Sequence, residues 1–197
     1  MVLGLTMTEK QIKADPYLKS VEFTAEQTES WYTPWYKGWV PATEKEVAPI
    51  LNITLKKVEI PVTNPVIKAA GKLGVVNYLI KKSGKDYYIT TEIGYMEMGE
   101  DIKIAFVPGE ICTDLVYGGD SLTAAGSIRG RDFEGKALTD IFGEDIIVFG
   151  LANDAVGYII PDNDYAMALA FGHYHETLTL GDKTAKILAD AYEGLLS

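Results

Sequence analysis

Two short motifs put chemically useful side chains at the ends of predicted strands. In the first, a Pro-Gly turn follows a strand and leaves Glu110 at the strand end, where ligand sites of α/β sheets commonly lie. In the second, the apolar run Ile146–Ala152, typical of a strand covered on both faces, leads to Asn153 and Asp154. Tyr158 follows four residues after Asp154. The alternatives are a glutamate in a surface turn and an Asn-Asp turn or helix cap.

Both histidines of the chain, His173 and His175, lie in one short segment near the C-terminus. Their spacing would turn both rings to the same side if this segment is a strand. Together with Glu176 or Asp164 they could hold a metal ion, because imidazole and carboxylate groups are common zinc ligands. Two histidines do not complete a site, so a polar face or a supporting role beside a site is the alternative.

The only arginines, Arg129 and Arg131, lie in the glycine- and aspartate-rich segment 118–140, which we expect to be a long loop. Two neighbouring guanidinium groups could clamp a carboxylate or a phosphate. A solvated loop is the alternative.

Composition excludes some functions. The formal net charge is −10 and no basic stripe is visible, so nucleic acid is not an expected partner. The single cysteine, Cys112, allows no internal disulfide, and a packed thiol is its expected role. The apolar stretch Val2–Leu5 is too short for a signal-peptide core, and no run is long enough to span a membrane. We therefore expect a cytoplasmic protein without a transmembrane segment.

The elements that must position these residues can be read from periodicity and turn signals. β-Branched and aromatic residues predict strands at Leu55–Val62 and Tyr87–Met98, and the second forms a hairpin with 102–106. Asn64, followed by Pro65, predicts the start of a helix.

A final helix is expected after Asp182 as its cap. Its apolar face consists of four residues: Leu188, Ala191, Tyr192 and Leu195. The predicted fold class is α/β (α+β), a single domain with a mixed β-sheet and flanking helices. Residues 1–50 are expected to form an N-terminal extension with an irregular aromatic cluster, Trp31–Trp39, that is either packed in a core or a platform for lipid or sugar.

The ordered set of motifs resembles the C-terminal part of the catalytic domain of the neutral/alkaline non-lysosomal ceramidase family, most closely its uncharacterised bacterial relatives. The resemblance runs from about Leu55 to the C-terminus. The matching residues are Pro108-Gly109-Glu110, Gly150-Leu151-Ala152-Asn153, Tyr158, Tyr165, Tyr174, Glu176, Thr177, Thr179, Leu180 and Gly181.

The resemblance implies a zinc site with Glu110 and Tyr158 as two of its ligands. In the family two further ligands are histidines from the N-terminal half, which also supplies a serine, and this chain has no segment resembling that half. The family's Thr-Thr-Met-x-Gly-Arg-Arg after the glutamate is replaced by residues 111–115.

Residues 51–197 are therefore expected to be a ceramidase-like half-domain or subunit of a zinc-dependent hydrolase of amides or lipid-like N-acyl compounds, inactive alone. A histidine-supplying partner chain, a homo-oligomer, or His173 and His175 would complete the shell. The alternative is a non-enzymatic binding protein that keeps the fold without the site.

Overall fold

The computed structural model of the chain describes residues 47–76, 81–84, 86–166 and 174–196. The chain divides into two compact units, Met1–Glu46 and Val47–Ser197, and all described residues belong to the second. The predictions made for the Trp31–Trp39 cluster and for His173 lie outside the described residues.

The described residues form strands and helices in an irregular order. The strands are β1 (Leu51–Pro61), β2 (Lys81–Ser83), β3 (Asp86–Met98), β4 (Ile102–Phe106), β5 (Glu110–Ile111), β6 (Ile147–Phe149) and β7 (Tyr158–Ile159). The α-helices are α1 (Pro65–Lys72), α2 (Thr113–Tyr117), α3 (Leu138–Phe142), α4 (Tyr174–Thr177) and α5 (Thr184–Glu193). None of the helices in these described ranges has the length and apolar composition needed to cross a membrane.

The main sheet has the strand order β1-β3-β4-β6, and β2 pairs with β3 beside this path. β1, β3 and β4 are antiparallel, whereas β4 and β6 are parallel. A second, two-stranded parallel sheet joins β5 and β7. The predicted α+β fold with a mixed sheet and flanking helices is therefore confirmed.

One face of the main sheet carries the core. Ile60 of β1 and Ile93 of β3 are fully buried, as alternation along a half-buried strand requires. Helix α5 packs against this face through its predicted apolar side, including Leu188 and Tyr192. The Tyr192 hydroxyl donates a hydrogen bond of 2.7 Å to the backbone oxygen of Phe106, which ties α5 to the end of β4.

The opposite face of the same sheet is apolar as well. In the strand register, Lys57, Glu59 and Glu92 occupy one end of this face. Its apolar residues are Leu51, Ile53, Leu55, Gly94, Met96, Met98, Ile102, Ile104, Phe106, Ile147 and Phe149. We call these eleven residues the apolar sheet face. Ile147 and Phe149 are 45% and 49% exposed, so the prediction that residues 146–152 form a strand covered on both faces is wrong. The strand is three residues long, and only one of its faces packs into the core.

The two predicted helix starts have different outcomes. Asn64 caps α1 as predicted, because its side-chain oxygen accepts from the backbone N–H of Val66 at 2.9 Å. Asp182 does not cap α5: the N-cap residue is Lys183, and the Asp182 carboxylate accepts a hydrogen bond of 3.1 Å from the Thr63 hydroxyl. A tertiary partner thus takes the carboxylate away from the helix end.

Candidate functional site

The pairing of β5 with β7 puts Glu110 directly opposite Tyr158. Two glycines make this close approach feasible. A Cβ at Gly109 would lie 2.4 Å from the backbone oxygen of Gly157, so a larger residue at position 109 would push the strands apart. Gly157 has a φ of +87°, which favours glycine, and its oxygen accepts from the Glu110 N–H at 3.0 Å.

Helix α4 brings two further side chains to this pair. The hydroxyl oxygens of Tyr158 and Tyr174 are 2.9 Å apart. The His175 ring lies edge-on to Tyr158, with ring centroids 4.5 Å apart, and also contacts Tyr174 at 3.9 Å. Glu110, Tyr158, Tyr174 and His175 therefore form one group, which we call the Glu110–Tyr158 cluster. His175 belongs to a helix rather than to a strand, so the predicted strand geometry does not apply to it.

Asn64 holds the C-terminal end of α4 and the residues that follow it. Its amide nitrogen donates to the backbone oxygens of Glu176 at 2.8 Å and Thr179 at 2.7 Å, and more weakly to Thr177 at 3.2 Å. Asn64 is 1% exposed, so these bonds are made away from water. One buried amide thus caps α1 and also fixes the chain beside Tyr174 and His175.

The cluster lies at the surface. Glu110 and His175 are exposed, and Tyr174 is 55% exposed. The hydrogen bond with Tyr174 raises the pKa of the Tyr158 phenol, and desolvation and the hydrogen bond with the Glu110 carboxylate raise it further. Tyr158 is therefore a neutral phenol at physiological pH.

The cluster offers a carboxylate, an imidazole and two phenols as donors. Carboxylate oxygen and imidazole nitrogen are regular zinc ligands. Within the described parts of the chain, no three His, Cys, Asp or Glu side chains come together in a way that could hold a metal ion. The donor types of Glu110, Tyr158 and His175 thus fit part of a zinc shell, and the metal site remains a prediction.

Asn153 and Asp154 take part in a different feature. They line a polar cleft of about 320 Å³ whose other walls are Lys57, Lys81, Thr90, Thr91 and Glu92. The Asp154 carboxylate accepts from the Thr91 hydroxyl at 3.0 Å and from the N–H of Ala155 at 2.9 Å. Asn153 has a left-handed φ of +69°, a conformation that asparagine tolerates better than most residues. Asn153 thus lies at a bend of the chain, and a binding role for the two residues stays a prediction.

The two arginines have separate partners within the chain. Arg129 donates to the backbone oxygen of Tyr165 at 2.9 Å and lies over its ring, and a guanidinium nitrogen is 3.9 Å from the Asp182 carboxylate. Arg131 forms an ion pair with Asp162. The two guanidinium groups are thus spread along one loop, each held by its own acidic residue.

Cys112 is half-buried, and burial raises the pKa of its thiol, as expected for a packed thiol. Sequence reasoning missed Tyr174 as a site residue. The available signal was its position next to His175 in the segment matched to the family. Sequence reasoning also missed the hydrogen bonds from Asn64 to residues 176–179, which no local sequence pattern predicts.

These geometries stand without support from known proteins: no family model, no curated protein and no solved structure matches the chain.

Proposed function

We propose that this chain is a half-domain or subunit of a ceramidase-like, zinc-dependent amidohydrolase and that it is inactive alone. The observation that carries the proposal is the cross-strand pairing of Glu110 with Tyr158, the two positions at which the family resemblance expects metal ligands. The two residues are 48 positions apart in sequence, so their meeting is not a consequence of local chain geometry.

The donor set explains why a second chain is part of the proposal. Glu110, Tyr158 and the neighbouring His175 supply two oxygens and one nitrogen. A catalytic zinc site normally has three firm protein ligands plus water. A neutral phenol is a poor ligand until a metal ion ionises it, so this chain alone offers two firm ligands at most. Histidines from a partner chain would complete the shell.

Bound zinc would polarise an amide carbonyl and supply an activated water molecule. The residues of this chain would position the groups around the metal ion. Tyr174 holds the Tyr158 hydroxyl at 2.9 Å, and the exposed Glu110 carboxylate faces the surface from which substrate would approach. An N-acyl compound with an amide bond is the substrate class that follows from the resemblance.

Zinc titration of the full chain, purified without contact with nickel, tests the proposal. We expect weak binding that does not survive dialysis, and Glu110→Gln should weaken it at least about tenfold because a charged oxygen ligand is lost. Glu59→Gln is the matched control, since Glu59 is an exposed glutamate on β1 and should not change binding.

Three results would contradict the proposal. Zinc retained in stoichiometric amount by the chain alone would show a complete site and remove the need for a partner. Weak zinc binding that is the same in Glu110→Gln, His175→Ala and the unmodified chain would exclude the Glu110–Tyr158 cluster as the ligand set. Hydrolysis of an N-acyl lipid by the isolated chain would separately refute its inactivity.

The second candidate function is a binding protein that keeps the fold without a catalytic site. It is favoured by the polar cleft of about 320 Å³ that Asn153 and Asp154 line, since none of its lining residues belongs to the Glu110–Tyr158 cluster. It predicts no specific zinc binding and no gain of hydrolase activity on adding a histidine-bearing chain.

A further inference from the structure

The apolar sheet face is unusual for the surface of a chain with 23% charged residues. Six of its side chains are between 38% and 61% exposed: Leu51, Ile53, Leu55, Met98, Ile147 and Phe149. They come from three strands, β1, β3 and β6. In the strand register, the partly buried Met96 and Phe106 and the buried Ile104 lie between them. The exposed parts of the six side chains amount to roughly 500 Å² of apolar area, at the upper end of what a soluble monomer exposes.

The face itself contains no charged side chain. Its eleven members are leucine, isoleucine, methionine, phenylalanine and one glycine. The glycine, Gly94, lets neighbouring side chains close over it, since a Cβ there would lie 2.8 Å from Leu55 and 2.9 Å from Phe106. Leu55 and Phe106 therefore lie close together over Gly94 and keep this part of the face apolar.

We propose that a second copy of this chain covers the apolar sheet face, so that the protein is a two-fold symmetric dimer with the two sheets stacked face to face. Sheets pack in this way about 10 Å apart, and an isologous interface needs a surface complementary to itself. An uncharged apolar face can meet that condition with an identical face, because it presents no charge to be paired. Two copies would bury roughly 1,000 Å², which is the size at which a specific interface begins.

The charges around the apolar sheet face are compatible with a second copy of the chain as the partner. Next to Leu55 and Gly94, just outside the apolar sheet face, Lys57 and Glu92 lie opposite each other on β1 and β3, so the adjoining charges have both signs. The net charge of −10 on each copy is repulsive at long range. This repulsion is screened beyond about 8 Å at physiological ionic strength. Added salt should therefore strengthen the dimer, whereas a partner bound by its basic residues would be weakened by salt.

Sedimentation velocity of the full chain between about 1 and 100 µM tests the proposal. We expect a reversible monomer–dimer equilibrium in which Ile53→Glu raises the dissociation constant at least about tenfold, because each substitution enters a two-fold interface twice. Phe149→Glu, on another strand of the face, should act in the same direction. Leu73→Glu is the control, since Leu73 is 79% exposed and lies at the end of α1, outside the face.

Circular dichroism of each variant shows whether the monomer still folds, which is expected because both face positions are about half exposed. A full chain that stays monomeric at 100 µM would overturn the proposal, whatever else covers the face. Equal association of Ile53→Glu, Phe149→Glu and Leu73→Glu would also overturn it, as would a dimer that dissociates when salt is added.

Discussion

Replacing Asn64 by aspartate should destabilise the fold strongly, although the two side chains have nearly the same shape. Asparagine acts here as acceptor and donor at once: its oxygen caps α1, and its nitrogen donates to the backbone oxygens of Glu176 and Thr179. Aspartate keeps the capping oxygen but puts a second oxygen against those carbonyls. The substitution therefore removes the donor function and leaves the helix cap in place.

The magnitude follows from two short bonds, of 2.8 Å to Glu176 and 2.7 Å to Thr179, both buried. Losing a buried hydrogen bond of this kind costs about 1–3 kcal/mol, and the repulsion between oxygens adds to that. We expect Asn64→Asp to lower the free energy of unfolding by at least about 3 kcal/mol at pH 7. Asn64→Ala loses the cap as well, which is worth about 1 kcal/mol.

Urea unfolding at pH 7, followed by circular dichroism, measures the change. Asn52→Asp is the control: Asn52 is exposed, and its single side-chain bond, to Glu97, is 3.4 Å long, so its cost should stay below about 1 kcal/mol. The penalty of Asn64→Asp should shrink toward pH 4, because a protonated acid regains one donor. A cost at position 64 no larger than at position 52 would refute the assignment of the amide.

Two further predictions concern the sheet and the site. Burial, assisted by a hydrogen bond to Glu97, raises the pKa of Tyr95 from 10.0 to about 12, so its contribution to stability is complete below pH 10 and is lost as the pH rises to 12. The unmodified chain should therefore lose more stability than Tyr95→Phe over this range in urea titrations, and equal losses would contradict the prediction. Gly157→Ala should destabilise the fold by at least about 3 kcal/mol, since a Cβ there would lie 1.9 Å from the Leu178 oxygen. Gly130 is the control, since it also has a positive φ but nothing lies within 4 Å of an added Cβ. Gly130→Ala should therefore lower the free energy of unfolding by only about 1 kcal/mol in thermal unfolding. Equal losses of stability in the two variants would exclude the clash with Leu178.

The fold was largely predictable where local signals and burial agree. The alternation of Val58 and Ile60 with polar neighbours marks β1, and the aromatic, β-branched run 86–98 marks β3. Asn64 before a proline marks the start of α1 because both residues act on the backbone next to them. In each case the physical cause lies within a few residues of its effect.

The remaining features depend on partners that are distant in sequence. The Asp182 carboxylate is well placed to cap a helix, yet the Thr63 hydroxyl binds it instead. The apolar run around β6 cannot reveal by itself that one face is exposed, because apolar residues on both sides of a strand give the same pattern. The contact of Tyr158 with Tyr174 requires β7 and α4 to meet, which periodicity does not encode.

The hydrogen bonds between Asn64 and residues 176–179 also have a consequence for biosynthesis. The two shortest of these hydrogen bonds join Asn64 to Glu176 and to Thr179, which follow it by 112 and 115 positions, so they close about three quarters of the length of this unit. A ribosome releases residues 176–180 long after β1 and α1 have emerged, and a loop of this length must close before those bonds form. The hydrogen bonds that join Asn64 to this segment therefore form only after residues 176–180 have left the ribosome, and the Glu110–Tyr158 cluster, which includes Tyr174 and His175, is assembled late in synthesis of this unit.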